Sequence, residues 1–128
     1  MERPIVLLSG GFDPYHDGHA KMFSRAAEIG DICVILNGDK WLINKKGKAF
    51  MNLTQRADVL NTVKGVEWVW HSQTMDDVSG DIEEISKHIG FKHRFLMFGK
   101  GGDRNVSNTP EQAICEKLSI PVMFGVGG

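Results

Sequence analysis

Two histidines, His16 and His19, directly follow a glycine-rich turn near the start of the chain. The apolar run of residues 5–8 leads into this turn, and a helical pattern over residues 20–29 leads out of it, so the order is buried strand, turn, helix. The N-terminus of a helix presents free backbone N–H groups and the positive end of the helix dipole, which favour a phosphate. Residues three apart lie on one side of a helical turn. The spacing therefore predicts a site that holds a nucleoside triphosphate by its phosphates.

The glycines of this segment suit a phosphate site because a backbone without side chains lets a ligand approach closely. We assign four residues of the turn and helix start to the phosphates: Gly10, Gly11, Phe12 and Gly18. The first strand is followed by no Gly-x-Gly-x-x-Gly pattern, and no Gly-x4-Gly-Lys-Ser/Thr sequence is present, which excludes the usual dinucleotide and P-loop modes of binding. Zinc is the competing use of a histidine pair, but it needs three or four ligands, and the other histidines and both cysteines are scattered. No metal-binding side chains are therefore assigned.

Lysines supply the second half of the expected phosphate site. Four of them lie in residues 38–52, which we predict to be a polar, mobile loop after the second strand: Lys40, Lys45, Lys46 and Lys48. A mobile basic loop at the carboxyl edge of a sheet can close over a polyphosphate and neutralise developing charge, although the same composition also suits a loop that is merely solvated. We favour Lys46 and Lys48 and keep Lys45 in reserve. Trp41 in the same segment either stacks on a ligand ring or covers the core.

Two aspartates near these segments allow both a structural and a substrate-binding interpretation. Asp13 follows the glycine-rich turn, and aspartate often stabilises such turns through hydrogen bonds with its own backbone. Asp39 opens the lysine-rich segment. The sequence leaves both interpretations open, and we include both residues as candidate contacts to the acceptor substrate.

Apolar runs alternate with helical patterns along the whole chain. The predicted strands span residues 5–9, 32–37, 66–70, 95–98 and 120–124, and the predicted helices span residues 18–29, 53–63, 81–89 and 110–118. Gly30 should end the first helix at the usual C′ position, and Thr109 and Pro110 should provide the N-cap and first residue of the last. The alternation predicts an α/β fold, a single doubly wound, Rossmann-like domain over residues 1–128 with a five-stranded parallel sheet. Ligands of such sheets bind beyond the carboxyl ends of the strands, where four loops converge: residues 10–19, 37–48, 71–80 and 99–108.

Composition limits the classes of protein that remain. The 128 residues amount to one domain, and the net charge of −1 does not indicate nucleic-acid binding through a basic surface. No apolar run is long enough for a membrane span. The first residues do not resemble a signal peptide, and Cys33 and Cys115 lie in apolar patterns that suit reduced core residues. We therefore expect a cytoplasmic protein without nucleic-acid or membrane partners.

The motifs also carry a resemblance to a known family. The sequence Gly-Gly-Phe-Asp at residues 10–13, followed by His-Asp-Gly-His at residues 16–19, resembles the HxGH nucleotidylyltransferase superfamily, and most closely its cytidylyltransferase-like branch. That branch includes glycerol-3-phosphate cytidylyltransferase and the adenylyltransferase domain of the ADP-heptose synthesis enzymes. The resemblance covers the chain from the first strand to about Asp103. It implies nucleotidyl transfer from a nucleoside triphosphate to a phosphorylated polyol or sugar, with release of pyrophosphate.

The resemblance implies that His16, His19 and Lys46 are catalytic. The two histidines would hydrogen-bond the α- and β-phosphates, and the lysines, Lys48 included, would hold the β- and γ-phosphates. Mg²⁺ would bridge phosphates and keep mostly water ligands, so the sequence would not reveal a dedicated set of metal ligands.

Residues further along the chain match the family pattern as well. Arg56 resembles an arginine that follows the basic loop and contacts the nucleotide, with an exposed helical arginine as the structural alternative. Asp103 would reach the nucleotide or the acceptor, with a turn aspartate as the alternative. Arg104 would pair with the phosphate of the acceptor.

The nucleotide and the completeness of the site stay open at this level. The turn around Phe12 resembles the cytidylyltransferases and favours CTP, whereas the Gly-Lys-Gly-Gly-Asp sequence at residues 99–103 resembles the sugar-phosphate adenylyltransferases and makes ATP the alternative. A Ser/Thr-rich motif and last helix of the family are expected to be missing, since the motif would begin where the sequence reaches residues 125–128. A non-catalytic nucleotide-binding module is therefore a second hypothesis, and an interaction subunit a weaker third. The resemblance also implies a homodimer, for which the residues give no independent indication.

Overall fold

The computed structural model describes residues 2–101 and 109–126. The strands are β1 (Ile5–Gly10), β2 (Asp31–Leu36), β3 (Val66–His71), β4 (Leu96–Gly99) and β5 (Val122–Met123). The helices are α1 (Asp17–Ile29), α2 (Asp39–Lys46), α3 (Leu53–Asn61), α4 (Ser79–Lys87) and α5 (Gln112–Lys117). All five strands are parallel and form one sheet in the order β3-β2-β1-β4-β5. The predicted α/β, Rossmann-like fold with a five-stranded parallel sheet is confirmed.

Right-handed crossovers place helices on both faces of the sheet. The chain moves from β1 to β2 to β3 in one direction, so α1 and α3 lie on one face; it then returns past these strands to β4 and β5, so α4 and α5 lie on the other. The side chains of β1 alternate accordingly, with Ile5 and Leu7 in the core of the α4/α5 face and Val6 and Leu8 in that of the α1/α3 face. The direction of winding reverses beside β1. The carboxyl end of this strand is therefore the expected place for a ligand.

Helix α2 lies inside residues 38–52, which we predicted to be a mobile loop. That prediction is wrong for residues 39–46. The helix has no apolar stripe, because Leu42 is its only buried residue, so hydrophobic periodicity could not reveal it. Contacts with distant residues hold it in place, and both Trp41 and Leu42 pack against the turn at Gly11.

Two helix ends differ from their predictions for identifiable reasons. Gly30 ends α1, but its backbone is extended (φ −167°) rather than left-handed, and a Cβ there would lie only 2.2 Å from the carbonyl oxygen of Pro4. Helix α5 begins at Gln112, so Thr109 and Pro110 are not its N-cap and first residue. The carbonyl oxygen of Thr109 accepts a hydrogen bond from the N–H of Gln112 in a turn before the helix, and its Oγ1 makes no hydrogen bond within the described residues.

A side-chain cap begins α3, and the two cysteines are buried as predicted. Asn52 caps α3: its Oδ1 accepts a hydrogen bond from the N–H of Gln55 (2.9 Å), and Oε1 of Gln55 accepts one from the N–H of Asn52 (3.0 Å). Cys33 and Cys115 are buried free thiols. Among residues 2–101 and 109–126, no helix has the length and apolar character needed to cross a membrane.

The close approach of Gly30 to Pro4 gives a test of the end of α1. We expect Gly30→Ala to lower the free energy of unfolding by about 1–3 kcal/mol, because a Cβ against a backbone oxygen forces the backbone to move. Gly80→Ala in α4 is the matched control: a Cβ there meets nothing within 4 Å, and alanine is the better helix former, so stability should be unchanged or rise by up to about 1 kcal/mol. Urea unfolding measures both variants, and equal stabilities would contradict the packing at Pro4.

Candidate active site

His16 and His19 form a reciprocal hydrogen-bonded cap at the N-terminus of α1. Nδ1 of His16 accepts a hydrogen bond from the N–H of Gly18 (3.1 Å), and Nδ1 of His19 accepts one from the N–H of His16 (3.1 Å). These bonds satisfy N–H groups that have no partner inside the helix. The two rings stack, with centroids 3.8 Å apart and planes 20° apart. The structure thus brings together the two histidines that the sequence predicted to act as a pair.

The cap also determines which ring nitrogen carries the proton. A neutral imidazole has one N–H and one acceptor nitrogen, and in both residues the acceptor is Nδ1, so the proton is on Nε2. Oδ1 of Asp17 lies 3.9 Å from Nδ1 of His16, too far for a hydrogen bond. Within the described part of the chain, Nε2 of neither histidine has a hydrogen-bond partner. The arrangement offers two neighbouring N–H donors at the positive end of a helix dipole, which suits phosphate oxygens.

His19 has a low affinity for a second proton. Burial, followed by the charges of His16 and Lys46, lowers the pKa of His19 to about 4. Aromatic neighbours contribute to this burial, since the His19 ring lies 4.8 Å from the ring of Phe12 and 5.7 Å from that of Tyr15, centroid to centroid. His19 is therefore suited to donate a hydrogen bond from a neutral ring rather than to act as a cation.

Phe12 supports the histidine pair through its buried ring. The ring contacts Phe23 edge-on at 5.3 Å and is 5% exposed as a residue. Its backbone has φ 50°, in the left-handed region that bulky residues rarely adopt. The structure thus gives the Phe12 side chain a packing role, and a contact between its backbone and a phosphate stays a prediction.

The glycines assigned to the phosphates also make room for neighbouring side chains. A Cβ at Gly18 would lie 2.9 Å from Cε1 of His16, and a Cβ at Gly11 would lie 2.7 Å from Cδ2 of Leu42. A Cβ at Gly10 would lie 3.2 Å from the ring of Phe12. The absent side chains therefore let the histidine cap, α2 and Phe12 pack against the turn, while contacts of these glycines with a nucleotide stay predictions.

Arg56 is fully buried and joins the segments around the carboxyl end of β1. Its Nη1 donates to the carbonyl oxygens of Gly11 (3.0 Å) and Asn37 (2.6 Å), and its Nε donates to that of Met51 (3.0 Å). Its Nη2 donates to Oδ1 of Asp39 (2.7 Å). The structural alternative of an exposed helical arginine is wrong, and the guanidinium has no exposed surface with which to contact a nucleotide. We therefore correct its assignment from nucleotide binding to positioning.

The two aspartates with open interpretations both make structural contacts. Asp39 is the first residue of α2 and forms the ion pair with Arg56. Asp13 does not bond its own turn: its Oδ2 accepts a hydrogen bond from the N–H of Phe50 (2.6 Å), and its Oδ1 accepts one from the N–H of Met51 (2.7 Å). Asp13 thus attaches the histidine turn to the end of the lysine-rich segment. Contacts of either aspartate with the acceptor stay predictions.

The lysines of this segment differ in their surroundings. Lys46 is the last residue of α2, Lys48 follows the helix, and both are exposed. Lys46 is near enough for its charge to lower the pKa of His19. Nζ of Lys45 lies 5.0 Å from the centroid of the Trp41 ring, a cation–π contact. The charge of Lys46 therefore acts on His19, and Lys45 lies beside the Trp41 ring.

A cleft of about 490 Å³ opens at the carboxyl ends of the central strands. Its lining includes the end of β1 at Ser9 and Gly10, Trp41 and Lys45 of α2, and residues 75–78 after β3. The histidines do not line this cleft. The turn after β1 connects the two sites, because it follows Gly10 at the wall of the cleft and leads to the N-terminus of α1, where the histidines lie. The cleft therefore adjoins the histidine pair across this turn and has the size of a small-molecule site.

Sequence reasoning missed four of the charged residues that line this cleft beside Lys45. They are Asp76, Asp77, Lys100 and Glu111. Nζ of Lys100 lies 3.8 Å from Oε1 of Glu111. The pKa of Asp77 is lowered, mainly by a hydrogen bond with Ser79, so its carboxylate is ionised. The available signal was that residues 71–80 and 99–108, which contain Asp76, Asp77 and Lys100, were predicted to form loops at this edge; nothing in the local sequence distinguishes these charges from surface charges.

Asp103 and Arg104, the candidate nucleotide and acceptor contacts of the glycine-rich segment, lie outside the described residues. Their assignments therefore stay predictions.

Comparison with known proteins adds the family to this geometry. The family model described as cytidylyltransferase-like matches residues 7–88, from the middle of β1 past the end of α4. The chain belongs to the cytidylyltransferase-like family. It is 30% identical to glycerol-3-phosphate cytidylyltransferase of Bacillus subtilis (strain 168) over 122 residues, which cover 94% of this chain and 88% of the relative.

Two further similarities agree with this membership. The chain is 27% identical to D-beta-D-heptose 1-phosphate adenylyltransferase of Bordetella bronchiseptica, covering 97% of this chain and 76% of the relative. The crystal structure of the lipopolysaccharide core biosynthesis protein from Thermoplasma volcanium GSS1 superposes with a TM-score of 0.73 at 18% identity, covering 96% of this chain and 94% of that one, which supports the fold. The family and these relatives identify a nucleotidyltransferase.

The position of Arg56 can be tested by a change that keeps its charge. We expect Arg56→Lys to lower the free energy of unfolding by at least about 3 kcal/mol, because a single ammonium cannot replace the planar fork and leaves buried carbonyl oxygens without donors. Arg25→Lys is the matched control: its side chain is 60% exposed and pairs with Glu28, so the change should stay within about 0.5 kcal/mol. Denaturant unfolding compares the two, and a similar small loss in both would exclude a central role for Arg56.

The pKa of His19 gives a second test. Its value of about 4 in the folded chain lies below the ordinary 6.5, so between these pH values the unfolded chain binds more protons. The stabilising contribution of neutral His19 is therefore complete above about pH 6.5 and is lost as the pH falls toward 4. We expect an NMR titration to give a pKa near 4 for the imidazole signal that disappears in His19→Gln. A value at or above 6.5 for that signal would contradict the geometry.

Proposed function

We propose that this nucleotidyltransferase transfers a nucleotidyl group from CTP, or alternatively from ATP, to a phosphorylated polyol or sugar and releases pyrophosphate. The observation that carries the proposal is the histidine cap, which fixes two imidazole Nε2–H donors side by side at the N-terminus of α1. Such donors suit the phosphate oxygens on which negative charge develops. The names of the two relatives support both substrate classes, since one is a cytidylyltransferase and the other an adenylyltransferase.

In the proposed reaction, a phosphate oxygen of the acceptor attacks the α-phosphorus in line. The new P–O bond forms as the bond to the β-phosphate breaks, and the electron pair leaves with pyrophosphate. His16 and His19 would donate to the α- and β-phosphates, and Lys46 and Lys48 would neutralise the leaving phosphates. Catalysis would come from positioning and charge stabilisation without a covalent enzyme intermediate.

The cleft beside the turn is the proposed place of the acceptor. It borders Ser9 and Gly10, and the nucleotide phosphates would lie on the other side of the same turn, against the helix N-terminus. Lys45 lines the cleft and offers a positive charge to the acceptor's phosphate. The two substrates would then meet at the carboxyl end of β1.

Mg²⁺ is proposed as a component that arrives with the triphosphate. Among the described residues, no group of three or more His, Cys, Asp and Glu side chains is placed to hold a metal ion. Mg²⁺ commonly keeps several waters and binds through substrate phosphates, and in that role it would neutralise charge on the triphosphate. A cytoplasmic location and a homodimer are also proposed, the latter from the family resemblance alone.

The test is pyrophosphate release with Mg²⁺, using CTP or ATP against glycerol 3-phosphate and a panel of sugar phosphates. His16→Asn and His19→Gln should each lose a factor of about 10²–10³ in kcat. These replacements copy the Asn52–Gln55 cap of α3, so they keep acceptors for the cap while removing the imidazole N–H donors. Unchanged unfolding midpoints would show that the loss is catalytic.

His93→Gln is the control. His93 is exposed and precedes β4, so it lies where the parallel strands begin, at the end of the sheet opposite to the histidine cap. Its turnover should equal that of the unmodified chain. Turnover close to normal in both cap variants would refute the role of the histidines. Nucleotide binding without any pyrophosphate release would favour the second candidate, a non-catalytic nucleotide-binding module.

A further inference from the structure

Asp13 holds the end of the lysine-rich segment with both oxygens of its carboxylate. Its Oδ2 accepts a hydrogen bond from the N–H of Phe50 (2.6 Å), and its Oδ1 accepts one from the N–H of Met51 (2.7 Å). The carbonyl oxygen of Met51 in turn accepts a hydrogen bond from Nε of the buried Arg56 (3.0 Å). Hydrogen bonds from backbone N–H groups to a carboxylate are among the strong ones in proteins. Residues 50 and 51 are therefore fixed to the turn that leads to His16.

Lys48 lies between this attachment and the end of α2. The helix ends at Lys46, and Gly47 follows in the left-handed region (φ 86°). Lys48 is exposed and belongs to the short connection from Gly47 to Phe50. The Cα atoms of Lys48 and Phe50 can be at most about 7 Å apart, because two residues span no more than that. The hydrogen bonds of Asp13 thus limit where the ammonium of Lys48 can lie.

A carboxylate at position 13 opposes phosphate binding through its charge but suits the two N–H groups that it accepts from. The neighbouring carboxylates interact differently, since Asp39 pairs with Arg56 and the side chain of Asp17 is 94% exposed. A carboxylate has two acceptor oxygens and no donor, so Asp13 serves two neighbouring N–H groups where an amide side chain serves one. The contacts of Asp13 therefore indicate that its contribution is the position of residues 50 and 51.

We propose that Asp13 is a positioning residue for the triphosphate, which places the ammonium of Lys48 beside the β- and γ-phosphates by holding residues 50 and 51 against the histidine turn. This inference rests on the proposed function for the nucleotide and for the phosphate contacts of Lys48. It adds that Asp13 acts through Lys48 rather than by contact with a substrate. The α-phosphate, which the histidine cap would hold, does not depend on Asp13.

The test compares a nucleoside triphosphate with the matching monophosphate, CTP with CMP and ATP with AMP, by calorimetry. For the base that the chain binds, Asp13→Asn should raise the Kd of the triphosphate by about 10–10²-fold, the range for one hydrogen bond to a charged group. The Kd of the monophosphate should stay the same, whereas a purely structural role would weaken the binding of both nucleotides. Asp58→Asn removes an exposed carboxylate from α3 and should leave both Kd values unchanged.

A double-mutant cycle shows whether Asp13 acts through Lys48. Lys48→Met should weaken the binding of the triphosphate by a similar factor, and Asp13→Asn should then cost no more than about twofold in addition, because both changes remove the same interaction. In a Lys40→Met background, which alters an exposed residue in the first turn of α2, Asp13→Asn should keep its full effect. The full effect in the Lys48→Met background would overturn the inference. A rise confined to the KM of the acceptor would assign Asp13 to that substrate and overturn it as well.

Hydrogen exchange tests the attachment itself in the unmodified chain. Phe50 is 73% exposed, yet its N–H and that of Met51 should exchange at least about tenfold more slowly than in an unstructured peptide. Exchange of both groups at the unprotected rate would overturn the inference. Should Asp13→Asn fail to fold, this protection together with a loss of triphosphate preference in Lys48→Met would support the inference, and the absence of either would overturn it.

The same measurements separate failure of this inference from failure of the proposed function. Loss of the triphosphate preference in Asp13→Asn, together with no pyrophosphate release from any acceptor, would support the inference and refute the proposed function. Pyrophosphate release with an unchanged triphosphate preference in Asp13→Asn would support the proposed function and overturn the inference. Absence of nucleotide binding in the unmodified chain would overturn both.

Discussion

The buried guanidinium of Arg56 is the interaction on which the carboxyl edge of the sheet depends. It hydrogen-bonds the turn after β1, the end of β2 and the segment before α3, and it pairs with the first residue of α2. Only a planar fork of donors can reach so many oxygens at once. Asp39 remains 42% exposed, so the ion pair is solvated on one side and its desolvation cost is smaller than for a fully buried pair. Since these segments carry the histidines, part of the cleft and the lysines, their relative positions follow from one side chain.

The histidine cap shows how one set of hydrogen bonds serves both folding and chemistry. A cap of the same pattern occurs at α3, where Asn52 and Gln55 exchange hydrogen bonds with each other's backbone. Amide side chains suffice to begin a helix, so the fold alone does not require imidazoles at α1. An imidazole adds a second nitrogen across the ring, which must carry the proton when Nδ1 accepts. Burial of His19 then keeps its ring neutral, because Phe12 and Tyr15 exclude water from one side of it.

The features predicted from the sequence are those that local pattern decides. The apolar run of β1 and the glycine-rich turn before His16 have short-range signatures, and they led to the fold and to the histidine pair. Helix α2 has no such signature, since it is held by contacts with Gly11 and Arg56 rather than by an apolar stripe. In the sequence, Arg56 cannot be distinguished from an ordinary helical arginine, because its partners Gly11 and Asn37 lie 45 and 19 residues away. In the sequence, Glu111 likewise resembles an acidic residue near a helix start, and its burial involves contacts with distant residues such as Val78 and Lys100.

The two sides of the turn after β1 differ in charge, and this difference bears on how two anionic substrates could react. The N-terminus of α1, the Nε2–H donors of the histidine cap and Lys46 make one side favourable for phosphates. On the other side, the cleft carries charges of both signs, namely the ammonium groups of Lys45 and Lys100 and the carboxylates of Asp76, Asp77 and Glu111. Because β1 lies where the winding of the sheet reverses, the end of this strand is the place that both sides of the site can reach.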